Sequence, residues 1–163
     1  MKKWLLWLTM FGIFYFSNTP HLIVSDPSTW MNKPQFEKGV TLSFLFDGKS
    51  IFYFPWINVV QTEFILHKLG HILFFSLLTI FMFLNMKQTK MRYFHTWLWT
   101  TLFAFTDEVH QFFVVGRSGR FIDFLFDSAV CIVCLISIFV FASCQRRKEI
   151  SETLSLQAFF KKG

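Results

Sequence analysis

The sequence predicts an all-α polytopic membrane protein, a four-helix transmembrane bundle carrying a short extracytoplasmic β-hairpin, on three observations. Apolar residues make up 53% of the 163 positions and charged residues only 16%, Phe alone fills 25 of them, and the mean hydropathy is +0.45. Water is a poor solvent for such a composition. Four apolar runs approach the roughly 20 helical residues needed to cross a hydrocarbon core about 30 Å thick. Basic residues are also unevenly distributed between the alternate sides that four such runs define.

The first run, 4–19, is the shortest. It spans if Lys2 and Lys3 snorkel and Ser17, Asn18 and Thr19 lie in the far interface. The opening residues also resemble a secretory signal, but bulky Phe14, Tyr15 and Phe16 stand where a small-residue cleavage site belongs, so an uncleaved anchor is expected. Residues 20–63 form an outer loop. Within it, Thr41 to Phe46 and Lys49 to Phe54 flank Asp47-Gly48, a D-G pair that signals a hairpin whose apolar face holds Phe44, Phe46, Phe52 and Phe54. Asp47, Gly48, Lys49 and Pro55 weigh against reading Val40 to Val60 as a further span. The remaining spans are 64–85, 93–113 and 121–141, followed by a cytoplasmic tail over 142–163, and all of 1–163 reads as a single domain.

Ten of the 16 Lys and Arg (Lys2, Lys3, Lys87, Lys90, Arg92, Arg146, Arg147, Lys148, Lys161, Lys162) fall on one side of these spans. That side is expected to be cytoplasmic, with both termini, which leaves the 20–63 loop and the turn at Arg117 outside. The net charge of +6 is thereby assigned to membrane anchoring; no aromatic-studded basic face points to nucleic acid. Cys131 and Cys134 form a C-x-x-C inside the fourth run, where core or lipid-facing thiols are expected in place of a redox motif.

Against this background the segment from Thr106 to Asp127 stands out. An ionised side chain at membrane depth costs about 2.5 to 3.5 kcal/mol on insertion scales, so a cluster implies pairing, a watery cavity or a ligand. At 1.5 Å per residue, Lys68 lies about one turn inside the second helix and His71 about two, while Asp107 lies about 9 Å below the exit of the third. Glu108, His110 and Gln111 lie above it, and Asp123 and Asp127 sit in the first turns of the fourth helix. Lys68 and His71 (i, i+3), Asp107 and Gln111 (i, i+4), and Asp123 and Asp127 (i, i+4) each share a helix face. Gly116-Arg117-Ser118-Gly119 makes a tight turn able to approach a ligand or a neighbouring helix, and Arg117 can reach a carboxylate or a phosphate bidentately. The polar cluster therefore comprises Lys68, His71, Asp107, Glu108, Gln111, Arg117, Ser118, Asp123 and Asp127, with Glu108, Gln111 and Arg117 expected nearest the outer surface.

In order, the chain shows Phe16-Ser17-x-x-Pro20, Glu63-Phe64 with Lys68 and His71, Asp107-Glu108-x-x-Gln111, Gly116-Arg117-Ser118-Gly119, and Asp123 with Asp127. This ordered set resembles the VanZ-like membrane proteins, named for a member associated with teicoplanin resistance. Position 75, commonly Tyr in that family, is Phe75 here; position 67, often Arg, is His67; His110 is an addition. The resemblance implies an envelope membrane protein linked to glycopeptide susceptibility and supplies no reaction.

Three functional classes follow. The first is binding or shielding of an envelope lipid headgroup, a cell-wall (peptidoglycan) precursor or a lipoglycopeptide by the outward-facing cluster, with membrane lipids as partners. The second is an intramembrane enzyme using His71 with Asp107 or Glu108 as acid and base. The third is a structural partner, in which Lys68 with Asp107 or Glu108, and Arg117 with Asp123, are register-fixing pairs. No cofactor or metal is expected, since His71, His110 and the carboxylates have no recognised ligand spacing. A G-x-S-G surrounds Ser118 as in rhomboid proteases, but no His follows it to serve as base.

Overall fold

The computed structural model describes residues 3–55 and 61–160. Lys2, Lys161 and Lys162 of the basic set, and residues 56–60 of the outer loop, lie outside the described residues. Four long helices run through the chain: α1 (Lys3–Ser17), α2 (Thr62–Asn85), α3 (Arg92–Phe113) and α4 (Phe121–Phe160). α2 closes where Met86 donates its backbone N–H to the carbonyls of Met82 and Phe83. The Arg92 guanidinium then donates to the Phe83 carbonyl through Nε at 2.9 Å and Nη2 at 2.5 Å. A cation at a helix C-terminus meets carbonyls that have no intrahelical partner, which stabilises the α2–α3 corner. α4 does not stop near residue 141. It continues as one helix through residues 142–160, because no Gly or Pro lies between Phe141 and Phe160 to end it.

α2, α3 and α4 pack on one another, and α1 lies against α2 and α3. Ile13, Phe75, Leu78, Ala104 and Cys131 form the buried cluster at their centre. Around it the helices approach through small and hydroxylated residues, Thr79, Thr96, Thr100 and Ser128, a pattern of helix pairs that gain close packing from backbone proximity. Each Thr hydroxyl donates to its own helix four residues back, to Phe75, Arg92 and Thr96 respectively, and so needs nothing from a neighbour. Cys131 is fully buried and Cys134 partly so, its Sγ 3.7 Å from the Ser76 carbonyl; both are packed thiols.

The distribution of polarity is inverted relative to a water-soluble bundle. Asp127 and Glu108 are 0% and 1% exposed, whereas Val133 and Phe141 on α4 are 63% and 67% exposed. Trp4, Trp7, Phe11, Leu69, Leu73 and Leu102 also face outward. By length and composition, α2 and the 121–153 part of α4 are long and apolar enough to cross a membrane.

The loop between α1 and α2 departs from the expected hairpin. Residues 42–46 and 51–53 are short 3₁₀ turns, and among the described residues the chain contains no strand, only an isolated antiparallel bridge between Phe36 and Val114. A tight two-residue D-G hairpin of type I′ needs positive φ at both central positions, and Gly48 is not among the positive-φ glycines. Asp47 instead opens a turn of its own, accepting from Lys49 N at its side chain (2.9 Å) and from Ser50 N at its carbonyl (2.9 Å). Ser50 Oγ then accepts from Phe52 N. Such local bonds compete with a ladder, and here they win. The two turns still cap the bundle. Phe44 stacks on Phe112 with centroids 4.0 Å apart, and Phe52 packs among Phe44, Phe112 and Phe121, while Phe46 is 90% exposed.

The rest of the loop is tied to the helices by named bonds. Glu37 N donates to Phe113 O at 2.8 Å and Val115 N to Gln35 O at 3.0 Å. The Glu63 carboxylate in the first turn of α2 accepts from Val24 N at 2.8 Å and from the backbone and hydroxyl of Ser25.

Candidate functional site

The ends of α1 and α3 and the starts of α2 and α4 meet in one polar layer, because alternate helices run in opposite directions and each places its polar face inward at that end. Lys68 Nζ lies 2.6 Å from Asp123 Oδ1, and His71 Nδ1 lies 3.0 Å from Asp127 Oδ2. A second chain of bonds runs through α3. Asp107 accepts from the Ser17 hydroxyl at 2.7 Å and from Gln111 Nε2 at 2.9 Å, and Gln111 Oε1 accepts from Arg117 Nη2 at 3.0 Å. Glu108 accepts from the backbone N–H of Arg120 at 2.9 Å through Oε2. One ligating atom from each of His71, Glu108 and Asp127 lies within 4.8 Å of the other two.

Two expected pairings are replaced. Lys68 forms its ion pair with Asp123, where Asp107 or Glu108 was expected, because the face that carries Lys68 and His71 packs on the start of α4, which presents Asp123 and Asp127 one turn apart. Arg117 does not pair with Asp123 but donates to Gln111, since the tight turn directs it back over the end of α3. Glu108 and Gln111, expected at the surface, are buried with Asp107; only Arg117, half-buried on the turn, is more open. Burial draws the Arg117 guanidinium below its ordinary pKa, while Asp107, Glu108 and Asp123 act in the opposite direction. Ser118 is exposed and makes no side-chain hydrogen bond among the described residues. His110 stays outside the layer: its Nε2 lies 3.2 Å from Asn18 Oδ1, and its ring sits near those of Phe14 and Phe36.

The two glycines of the turn explain this geometry. Gly116 has φ of 69°, and a Cβ there would fall 2.1 Å from the His21 ring. A Cβ on Gly119 would fall 2.0 Å from the Glu108 carbonyl oxygen and 2.7 Å from Phe112 N. The close approach is therefore to α3 itself, and it brings the next residue's N–H onto the Glu108 side chain.

Two adjoining cavities open on the layer. One, about 300 Å³, is mainly apolar, walled by Ile13, Phe16, Trp30, Phe74 and Phe75 with Asp107 and Ser17 among its other lining residues. The other, about 250 Å³, is lined by Lys68, Arg117, Ser118, Arg120, Gln111 and Asp123. Leu22, His67, His71 and Arg117 line both. Sequence reasoning missed Ser17 and His67 as site residues. Ser17 looked like an interface residue at a helix end, and His67, whose Nε2 lies 3.2 Å from the Leu22 carbonyl, is placed by a loop contact that periodicity does not reveal. Phe75, at the position commonly Tyr in the VanZ-like pattern, stacks on His71 with centroids 5.9 Å apart.

No curated protein and no solved structure matches the chain. The VanZ/LLP1 family model matches residues 4–142, a stretch that contains every residue of the polar layer, and the chain belongs to that family, which is associated in general with glycopeptide resistance.

Proposed function

We propose that the chain is a four-span membrane protein with cytoplasmic termini whose outward-facing polar layer binds the anionic headgroup of an envelope amphiphile. The candidate classes are a lipid headgroup, a lipid-linked cell-wall precursor and a lipoglycopeptide. The observation that carries this reading is the pair of adjoining cavities. An apolar wall beside a rim with Lys68, Arg117 and Arg120 suits a molecule with a hydrocarbon part and a phosphate or carboxylate part. Arg117, which lines both, stands at the junction where such a molecule changes character. The inverted polarity of the bundle and the lopsided basic residues support the four-span arrangement. Cys at position 47 or 118 should react with an impermeant thiol reagent on spheroplasts and Cys at position 88 should not, in a background lacking the three native cysteines. Labelling at 88 overturns that topology.

The His71–Asp127 contact favours an intramembrane enzyme as the second reading, because an imidazole oriented by a carboxylate beside a cavity is a general-base arrangement. Deletion and overexpression strains tested against teicoplanin, vancomycin and an unrelated membrane-active peptide decide whether a resistance role exists. The binding reading expects a shift confined to the glycopeptides that wild type restores and Arg117→Gln does not. Equal shifts for all three agents indicate general envelope perturbation and contradict it. Loss of the variant protein itself points to a structural assembly role.

A further inference from the structure

Beneath the basic rim of the polar cavity lies a set of groups that anion binding does not use. Glu108 is 1% exposed and Asp127 0%, and His71 faces them from α2. One ligating atom from each of the three lies within 4.8 Å of the others, with the His71–Asp127 separation at 3.0 Å. The Glu108 carboxylate is only half used. Oε2 accepts from Arg120 N, whereas Oε1 is buried without a hydrogen-bond partner among the described residues. A buried carboxylate oxygen without a donor is costly, and a coordinated cation removes that cost; Arg117 Nε and Arg120 Nε of the same layer are likewise buried without a partner among the described residues.

The charge balance of the layer points the same way. Four carboxylates, Asp107, Glu108, Asp123 and Asp127, face three permanent cations, Lys68, Arg117 and Arg120, the last also donating to the Pro55 carbonyl. With His71 neutral, the layer is short of one positive charge. The geometry supports closure. At bond lengths of about 2.0 to 2.1 Å, ligand atoms around a tetrahedral ion lie about 3.3 Å apart, so small side-chain rotations bring the set to coordinating distance.

We propose that His71, Glu108 and Asp127 hold one divalent first-row metal ion. One imidazole and two carboxylates suit Zn²⁺ or Mn²⁺ better than Mg²⁺ or Ca²⁺, which favour all-oxygen shells. Three protein ligands leave a coordination position for water or for a ligand oxygen. Of the three, His71 lines both cavities, while Glu108 and Asp127 lie buried behind it and line neither. The ion also neutralises the buried carboxylates and leaves the rim basic. The metal site does not depend on the identity of the amphiphile, and its test is separate.

Full-length protein purified in detergent, stripped with chelator and titrated with Zn²⁺ and with Mn²⁺, is desalted and its metal content measured by mass spectrometry. The proposal expects a single equivalent of one of the two ions per chain and a rise in melting temperature on loading. Glu108→Gln and Asp127→Asn, which keep side-chain shape, should each weaken binding at least tenfold, since even outer-shell changes around metals cost that much. His110→Ala, outside the set, should leave binding unchanged. Wild-type protein that retains no stoichiometric ion overturns the proposal, as does undiminished binding in Glu108→Gln. If Asp127→Asn fails to fold, the wild-type stoichiometry and Glu108→Gln decide alone. In the absence of a metal, Glu108→Gln should be as stable as wild type or more so, because it replaces a buried charge by an amide.

Discussion

The two ends of the helix bundle handle buried polarity in opposite ways. At the end where Arg92 meets α2 and through the middle, Thr79, Thr96 and Thr100 satisfy their hydroxyls within their own helices, and the helices meet through Leu78, Ala104 and Cys131. At the other end almost every polar group is satisfied by a different element: Ser17 of α1 by Asp107 of α3, Lys68 and His71 of α2 by Asp123 and Asp127 of α4, and Glu108 of α3 by the backbone of the following turn. The first arrangement is largely self-sufficient, its bonds between elements being those of Ser128 with Trp97 and Thr101, of Cys134 with the Ser76 carbonyl and of Arg92 with the Phe83 carbonyl. The second depends on contacts between elements, and the two adjoining cavities open at that end.

Substitutions should separate the ends by magnitude. Asp127→Ala leaves His71 without its carboxylate partner, and removing one member of a buried pair costs about 3 to 5 kcal/mol. Chemical or thermal unfolding in detergent should show the loss, and a variant as stable as wild type would mean that the pair is not a fixed element of the fold. Gly119→Ala comes next. Its Cβ would fall 2.0 Å from the Glu108 carbonyl, so α3 and the turn must separate, at about the 1 to 3 kcal/mol typical of overpacking. Thr100→Val removes a hydroxyl whose acceptor carbonyl keeps its helical partner, and the change should stay below about 1 kcal/mol, as for most polar contacts between membrane helices. A large loss there would show that the two ends are less different than their hydrogen bonds indicate.

Much of this was legible in the sequence, and the reason lies in helical geometry. The positions of α2 and α3 followed from apolar length, and the places of Lys68, His71, Asp107 and Asp127 along their helices followed from a fixed rise per residue. Position along a helix groups residues in a layer but does not state which helix faces which. That depends on packing, and so Lys68 was matched with α3 when it meets Asp123 of α4. The glycines of the 116–119 turn were read as permitting a close approach, and what they approach, His21 and the α3 backbone, required the folded chain. The Asp47-Gly48 hairpin was misread because a two-residue signal is decided by φ at Gly48 and by the bonds from Asp47 and Ser50 around it. The phenylalanines chosen for its apolar face were half right: Phe44 and Phe52 are buried, Phe46 and Phe54 are not.

The claim that the polar end binds an anionic amphiphile is tested most directly by titrating the full-length protein in nanodiscs with a polyprenyl phosphate and with the same polyprenol lacking its phosphate. Wild type should prefer the phosphate at least tenfold, the yield of one charge-assisted hydrogen bond of about 1.5 kcal/mol or more. Arg117→Gln should bring the two ligands close to parity while its membrane abundance stays at the wild-type level. A wild-type protein that binds both alike, or an Arg117→Gln protein that discriminates as wild type does, would contradict the account.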